Sequence, residues 1–173
     1  LDAANHYLEQ YPKMLRNLIP KLDAWKKRLL QQGYRLYGEE VLKLTIQTKP
    51  YGYRGTELAE LLRRQNIEPE FADPDDLVLM LSAETDEKTL MRLTQVLCSI
   101  PPRPPIQEES PVFSPGEQVL TIREAMLACG EVLPLAQCQG RILTSPSVGC
   151  PPAVPILLCG ERIDAHAIAC FAY

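Results

Sequence analysis

The chain has 173 residues, a net charge of −4 and an apolar share of 46%, enough for one good core or two small ones. The acidic balance argues against a nucleic-acid surface, which needs clustered Lys and Arg; Lys26-Lys27-Arg28 and Arg63-Arg64 read as solvated helix faces. No apolar run reaches the ~18 residues of a membrane span and no signal-peptide pattern stands at the start, so a cytoplasmic protein without membrane partners is expected.

Residues 1–33 read as a helical arm. Ala4, Leu8, Tyr11, Leu15, Leu18, Leu22, Trp25 and Leu29 fall on one helical stripe. Pro12 and Pro20 interrupt it, and an interior proline costs roughly 3 kcal/mol, so two helices, or one kinked helix from about 13 to 32, are expected. Leu1 falls inside this pattern without an initiator Met, which suggests a piece of a longer protein.

Residues 34–100 read as a small β-α-β-β-α sandwich domain. Val41 to Thr48 alternates as a half-buried strand, and a helix follows with Thr56 as N-cap. Ile67 to Phe71 gives a second strand, Asp73-Pro74-Asp75-Asp76 a turn, and Leu77 to Leu81 a central strand. A last helix starts at Thr85-Asp86, with Leu90, Leu93, Val96 and Leu97 on its inner face. The whole is of α/β (α+β) class. By itself the unit also fits a free-standing ferredoxin-like regulatory domain that binds a small molecule.

Residues 101–116 form a proline-rich linker and 117–173 a small mixed C-terminal subdomain. In the latter a short helix opens at Ile122, Glu131 to Leu135 reads as a strand, Gly140-Arg141-Ile142 as a turn and strand, and Ala165 to Tyr173 as a terminal helix. Between them lies Gly149 to Ile163. Pro151, Pro152 and Pro155 stiffen the lead-in, Ile156 to Leu158 fit a buried strand, and Gly160 turns the chain to deliver Glu161. On spacing alone the residues fit better a proline-rich connection with Glu161 as a solvated turn residue paired to a neighbour such as Arg162.

Pro151-Pro152-Ala153-Val154-Pro155 and Cys159-Gly160-Glu161 resemble the Pro-Pro-Gly-Ile-Pro and Pro-Gly-Glu signature near the end of the bacterial ornithine/lysine/arginine decarboxylases, pyridoxal-phosphate enzymes of the aspartate-aminotransferase fold type. Cys150 stands where that family usually has Tyr, Ala153 for Gly and Cys159 for Pro. The resemblance covers nearly the whole chain and implies the C-terminal part of such an enzyme. Its partners would be a missing N-terminal cofactor domain, a basic amino acid as substrate, and a second subunit in a homodimer or higher assembly. It places Glu161 at the active-site mouth facing the distal cation of the substrate, on a scaffold of Pro151, Pro152, Pro155 and Gly160. The family's cofactor lysine follows a histidine, whereas His6 and His166 are followed by Tyr7 and Ala167. No pyridoxal phosphate is therefore expected on this stretch, nor any catalytic residue.

The six cysteines, at 98, 129, 138, 150, 159 and 170, form no Cys-x-x-Cys pair, which disfavours a zinc site. Apolar neighbours suggest reduced and mostly buried thiols.

Overall fold

The computed structural model describes residues 2–112, 114–147 and 154–173. They fall into two compact units, Leu1–Glu108 and Glu109–Tyr173. The sequence placed boundaries near 33 and 100 as well. In the structure the second half of the arm and the segment to Glu108 are built into the first unit. Among the described residues no helix is long and apolar enough to cross a membrane.

Helix α1 runs unbroken over Asp2–Gln31 with both prolines inside it, where two helices or a kinked one from about 13 were expected. Pro12 and Pro20 lie on exposed positions, so the carbonyls of Leu8 and Arg16, which each proline leaves without a helical donor, face water. On the other side Leu18, Leu22, Trp25 and Leu29 are buried in the core. At roughly 1.5–3 kcal/mol for each fully buried large apolar side chain, their burial outweighs the two prolines. Leu8, nearer the start of the stripe, is 60% exposed.

The sheet of this unit has the order β1-β2-β4-β3, with β1 Arg35–Tyr37, β2 Lys43–Gln47, β3 Phe71–Ala72 and β4 Asp76–Met80, all neighbours antiparallel. Strands β2 and β3 run parallel with β4 inserted between them, the split β-α-β arrangement that the element order suggested. Strand β1 was not expected; it is three residues long and pairs with β2 at one edge. Alternation puts Leu44, Ile46, Leu77 and Leu79 on the buried face, where α1, α2 (Gly55–Arg63) and α3 (Glu87–Ser99) contribute the rest of the core.

Helix α2 starts at Gly55 with Arg54 as N-cap, not at Thr56. Its first-turn donors are met by the acidic turn instead: Gly55 N–H donates to Pro74 C=O at 3.3 Å and Thr56 N–H to Asp73 C=O at 3.1 Å. Asp73 Oδ1 in turn accepts the N–H groups of Asp75 and Asp76 at 2.8 and 2.7 Å. Burial, with the neighbouring carboxylates of Asp73 and Asp75 adding to it, raises the pKa of Asp76. A Cβ on Gly55 would strike the carbonyl oxygens of both Asp73 and Asp76.

Three tyrosines pack where α3 ends. Tyr34 stacks on Tyr51 at 4.1 Å between ring centroids, and Tyr51 on Tyr53 at 6.2 Å. Their hydroxyls donate to successive carbonyls where α3 ends: Tyr34 to Leu97 at 2.8 Å, Tyr51 to Ile100 at 2.9 Å, and Tyr53 to Pro101 at 2.8 Å. A helix C-terminus leaves carbonyls without donors, and here side chains supply them. The expected linker is pinned in the same way up to Glu108. Arg103 N–H donates to Tyr51 C=O and Ile106 N–H to Lys49 C=O, while the Arg103 guanidinium lies 4.1 Å above the Tyr53 ring and pairs with Glu57.

In the second unit, α4 spans Ile122–Leu127 and α5 Ala165–Ala172. The expected strand at Glu131 to Leu135 is irregular, Val132 is fully exposed, and a 3-10 turn follows at Leu135–Gln137. Pro134 there has no N–H for a ladder. Ile156 to Leu158 likewise forms no strand, although Leu157 is buried.

Two outcomes test this account. Burial drives the Tyr34 pKa well above the ordinary tyrosine value, so the unfolded chain releases this proton first as pH rises. Stability linked to Tyr34 is present below about pH 10 and lost above it. Tyr34→Phe should flatten the fall in urea midpoint above about pH 10, and should cost about 0.5–1.5 kcal/mol at neutral pH because Leu97 C=O loses one of its two hydrogen bonds and keeps that from Ile100 N–H. Gly55→Ala should cost about 1–3 kcal/mol by overpacking against the acidic turn, read from the same urea curves.

Candidate functional site

Glu161 is held where three segments of the second unit meet. Gly160 C=O accepts from Val119 N–H and Leu120 N–H at 3.0 and 3.1 Å, and Gly160 N–H donates to Leu143 C=O at 2.7 Å. Leu143 N–H donates back to Glu161 C=O at 2.9 Å, and Glu161 pairs across an antiparallel bridge with Gln118. Ile163 extends the second contact, donating to Arg141 C=O at 2.8 Å and accepting from Gly140 N–H at 2.7 Å. Gly160 has φ +96°, and a Cβ there would collide with Leu120 O, so the backbone itself requires glycine.

The carboxylate does not stand in solvent. Glu161 is 7% exposed, and its Oε2 accepts from Leu158 N–H at 2.7 Å, closing the turn that carries it. Gly116 passes alongside with no room for a side chain between Leu157 and Glu161. The alternative of a solvated turn with an Arg162 partner is therefore not what forms. Arg162 instead pairs with Glu117 at 2.7 Å and donates to Gly140 C=O at 3.2 Å.

Among the described residues Oε1 of Glu161 takes no hydrogen bond. Glu161 lines a depression of about 300 Å3 with Ser114, Pro115, Pro155 and Leu158. A carboxylate has about four acceptor positions. One oxygen is spent on the loop, and acceptor capacity remains for a donor arriving from outside. Of the proposed scaffold, Pro155 and Gly160 lie in this loop, whereas Pro151 and Pro152, with Cys150 and Ala153, fall outside the described residues.

Other candidate chemistry is engaged elsewhere. Lys49, 7% exposed, pairs with Asp75 at 2.7 Å and donates to Glu108 C=O at 2.8 Å. A lysine held this way is not placed to carry pyridoxal phosphate. Sequence reading passed over Lys49, although its position just after an apolar strand and just before Pro50 was an available signal. His6 is exposed and lies 3.6 Å from Glu9. His166 Nε2 lies 2.6 Å from Val112 C=O and 3.7 Å from Cys170 Sγ. No group of three or more metal-ligating side chains occurs among the described residues. Cys98, Cys129, Cys138, Cys159 and Cys170 are free, and where most were expected to be buried only Cys159 and Cys170 are, with Cys129 exposed. Apolar neighbours in sequence did not bring Cys129 inside, because the stretch around it forms no regular element that packs on the core.

No protein-family model matches the chain. It is 29% identical over 189 aligned positions to an arginine decarboxylase of Bacillus subtilis (strain 168), an alignment that takes in 98% of this chain and 39% of that protein. Its fold matches that of the constitutive lysine decarboxylase of E. coli with a TM-score of 0.66 at 13% identity, over 92% of this chain and 36% of that one. The chain thus spans about two fifths of the length of the curated relative that it matches. The likeness first carried by the proline and Gly-Glu motifs extends through both units: the chain is similar, over nearly its whole length, to the C-terminal part of the ornithine/lysine/arginine decarboxylases.

Proposed function

We propose that this chain is the C-terminal part of a basic amino-acid decarboxylase and that it contributes Glu161 to recognition of the substrate. The whole enzyme would release CO2 from lysine, ornithine or arginine and leave a diamine or polyamine precursor. Pyridoxal phosphate would be held by an N-terminal domain outside this chain, with cytoplasmic homodimers or larger assemblies as the working form. In the same reading residues 1–33 lead out of that domain, 34–100 form the small domain, 101–116 the connection and 117–173 the terminal subdomain. The relationship to arginine and lysine decarboxylases supports this assignment.

The observation that carries the role of Glu161 is the division of labour between its oxygens. Oε2 is fixed by Leu158 N–H, so little side-chain entropy is left to lose. Oε1 is left as an acceptor beside an open depression. A partly desolvated ammonium or guanidinium reaching it would form a charge-assisted hydrogen bond of roughly 1.5–3 kcal/mol.

Glu161→Gln in the full-length enzyme keeps an acceptor for Leu158 N–H and removes the charge. The expected result is a fall in kcat/KM of about ten-fold to a hundred-fold, with the thermal midpoint little changed. Unchanged kcat/KM for lysine, ornithine and arginine alike would reduce Glu161 to a loop clasp. The isolated chain, lacking the cofactor lysine, should release no CO2 from any of the three and show no saturable absorbance change with pyridoxal phosphate. An adduct fixed by borohydride at one lysine would contradict this.

A further inference from the structure

A second cleft, of about 520 Å3, lies in the first unit at the far end of β4, beside α3 and the loop leaving α2. It is in the size range of small-molecule sites, and three independent features of it bear on what it could hold.

The first is an open strand edge. Leu81 N–H donates to Leu42 C=O, continuing the β2–β4 register in which Lys43 stands opposite Met80. Antiparallel pairs alternate between bonded and non-bonded, so the N–H and C=O of Met80 turn away from β2 towards the β3 side. Strand β3 does not reach them. Glu70 N–H bonds Val78 C=O although Phe71 is the register partner of Val78, so two residues face one in a bulge. The residue before it, Pro69, has no N–H to give. Among the described residues no hydrogen bond outside the ladders engages the Met80 backbone.

The second is charge. Arg92 Nη2 donates to Gln65 C=O at 2.6 Å, which fixes the guanidinium at the cleft. Among the described residues Arg92 enters no ion pair, whereas Glu68, the carboxylate that lines the cleft, is already held by Arg63 at 2.9 Å. The third is the apolar lining of Ile67, Leu79, Leu81 and Leu93. One open peptide position, one uncompensated cation and a short apolar lining together select a small acid that carries an amide.

We propose that this cleft binds an N-acylated amino acid of about dipeptide size, a site separate from the Glu161 depression. The amide of the guest closes the N–H and C=O of Met80 as one rung of sheet. Its carboxylate takes the remaining donors of Arg92 as a fork, and its acyl group and side chain cover the apolar lining. Only one residue of β4 is open, so a single amide is recognised rather than a long strand.

N-acetyl-L-leucine is the probe, titrated into the full 173-residue chain labelled for amide NMR, up to about 10 mM. The expected result is saturable shifts of the Met80 amide and the Arg92 side chain. Two analogues, the terminal carboxamide and the ester that replaces the amide N–H with oxygen, should each bind about ten-fold more weakly, a step of about one decade in Kd. In Arg92→Gln the acid should lose its advantage over the carboxamide while the spectrum stays folded. Absence of saturable shifts at these two residues would overturn the proposal, as would equal binding of acid and carboxamide to the unmodified chain. So would much tighter binding of a longer extended peptide, which would make the edge a strand-docking site.

Discussion

The contact on which the first unit depends is the set of three tyrosine hydroxyls holding the carbonyls of Leu97, Ile100 and Pro101. Without them Ile100 C=O would be left buried without a donor and Leu97 C=O with the Ile100 N–H alone, and a buried unsatisfied polar group costs about 1–3 kcal/mol. With them the chain can leave α3 directly into a run of prolines, residues that cannot help because they have no N–H. The stacked rings also place Tyr51 C=O where Arg103 N–H meets it. The same cluster therefore ends a helix, fills a core and anchors the following segment.

The acidic turn at 73–76 plays the matching part at the N-terminus of α2. It supplies carbonyls to the first turn of that helix, Asp75 to Lys49, and Asp75 C=O to both the N–H and the hydroxyl of Thr48 at 2.9 Å. Thr48 and Lys49 are buried, and a buried ammonium is tolerable only with partners. Sequence reading treated these aspartates as a turn, which they are. Their second role, replacing the side-chain cap that α2 lacks, depends on an approach allowed by Gly55 and involves residues about twenty positions apart.

Elements with a strong local signature were legible: the alternation of β2, the apolar run of β4, the Asp86 cap and inner face of α3, and the Gly-Glu motif. What was not legible depended on partners distant in the chain. Strand β1 is too short for a periodic signal and exists because β2 offers an edge. The prolines of α1 carry a real local cost, but the core beneath residues 18–29 outweighs it. Glu161 looked like a solvated turn residue because its neighbours in sequence are Gly160 and Arg162; the groups that bury it, Gly116 and the 118–120 and 141–143 segments, lie some 20 to 45 residues upstream. Thr121 could have been found, since Thr-x-x-Glu before a helix is a capping-box signature and the box is present with Glu124.

The convergence at Gly160 and Glu161 has a consequence for how the second unit forms. Its apolar cluster is small, centred on Leu157, Ile163 and Ala167, and its order comes largely from backbone rungs joining 117–120, 141–143 and 160–163. Both joints use the 160–163 segment, so each closes a loop of about 20 to 40 residues, and the entropy of closure grows only slowly with length. Neither joint is stabilised by local helix propagation. The 160–163 segment, the last of the three in chain order, completes both joints, so this unit stays unformed until that segment has been made.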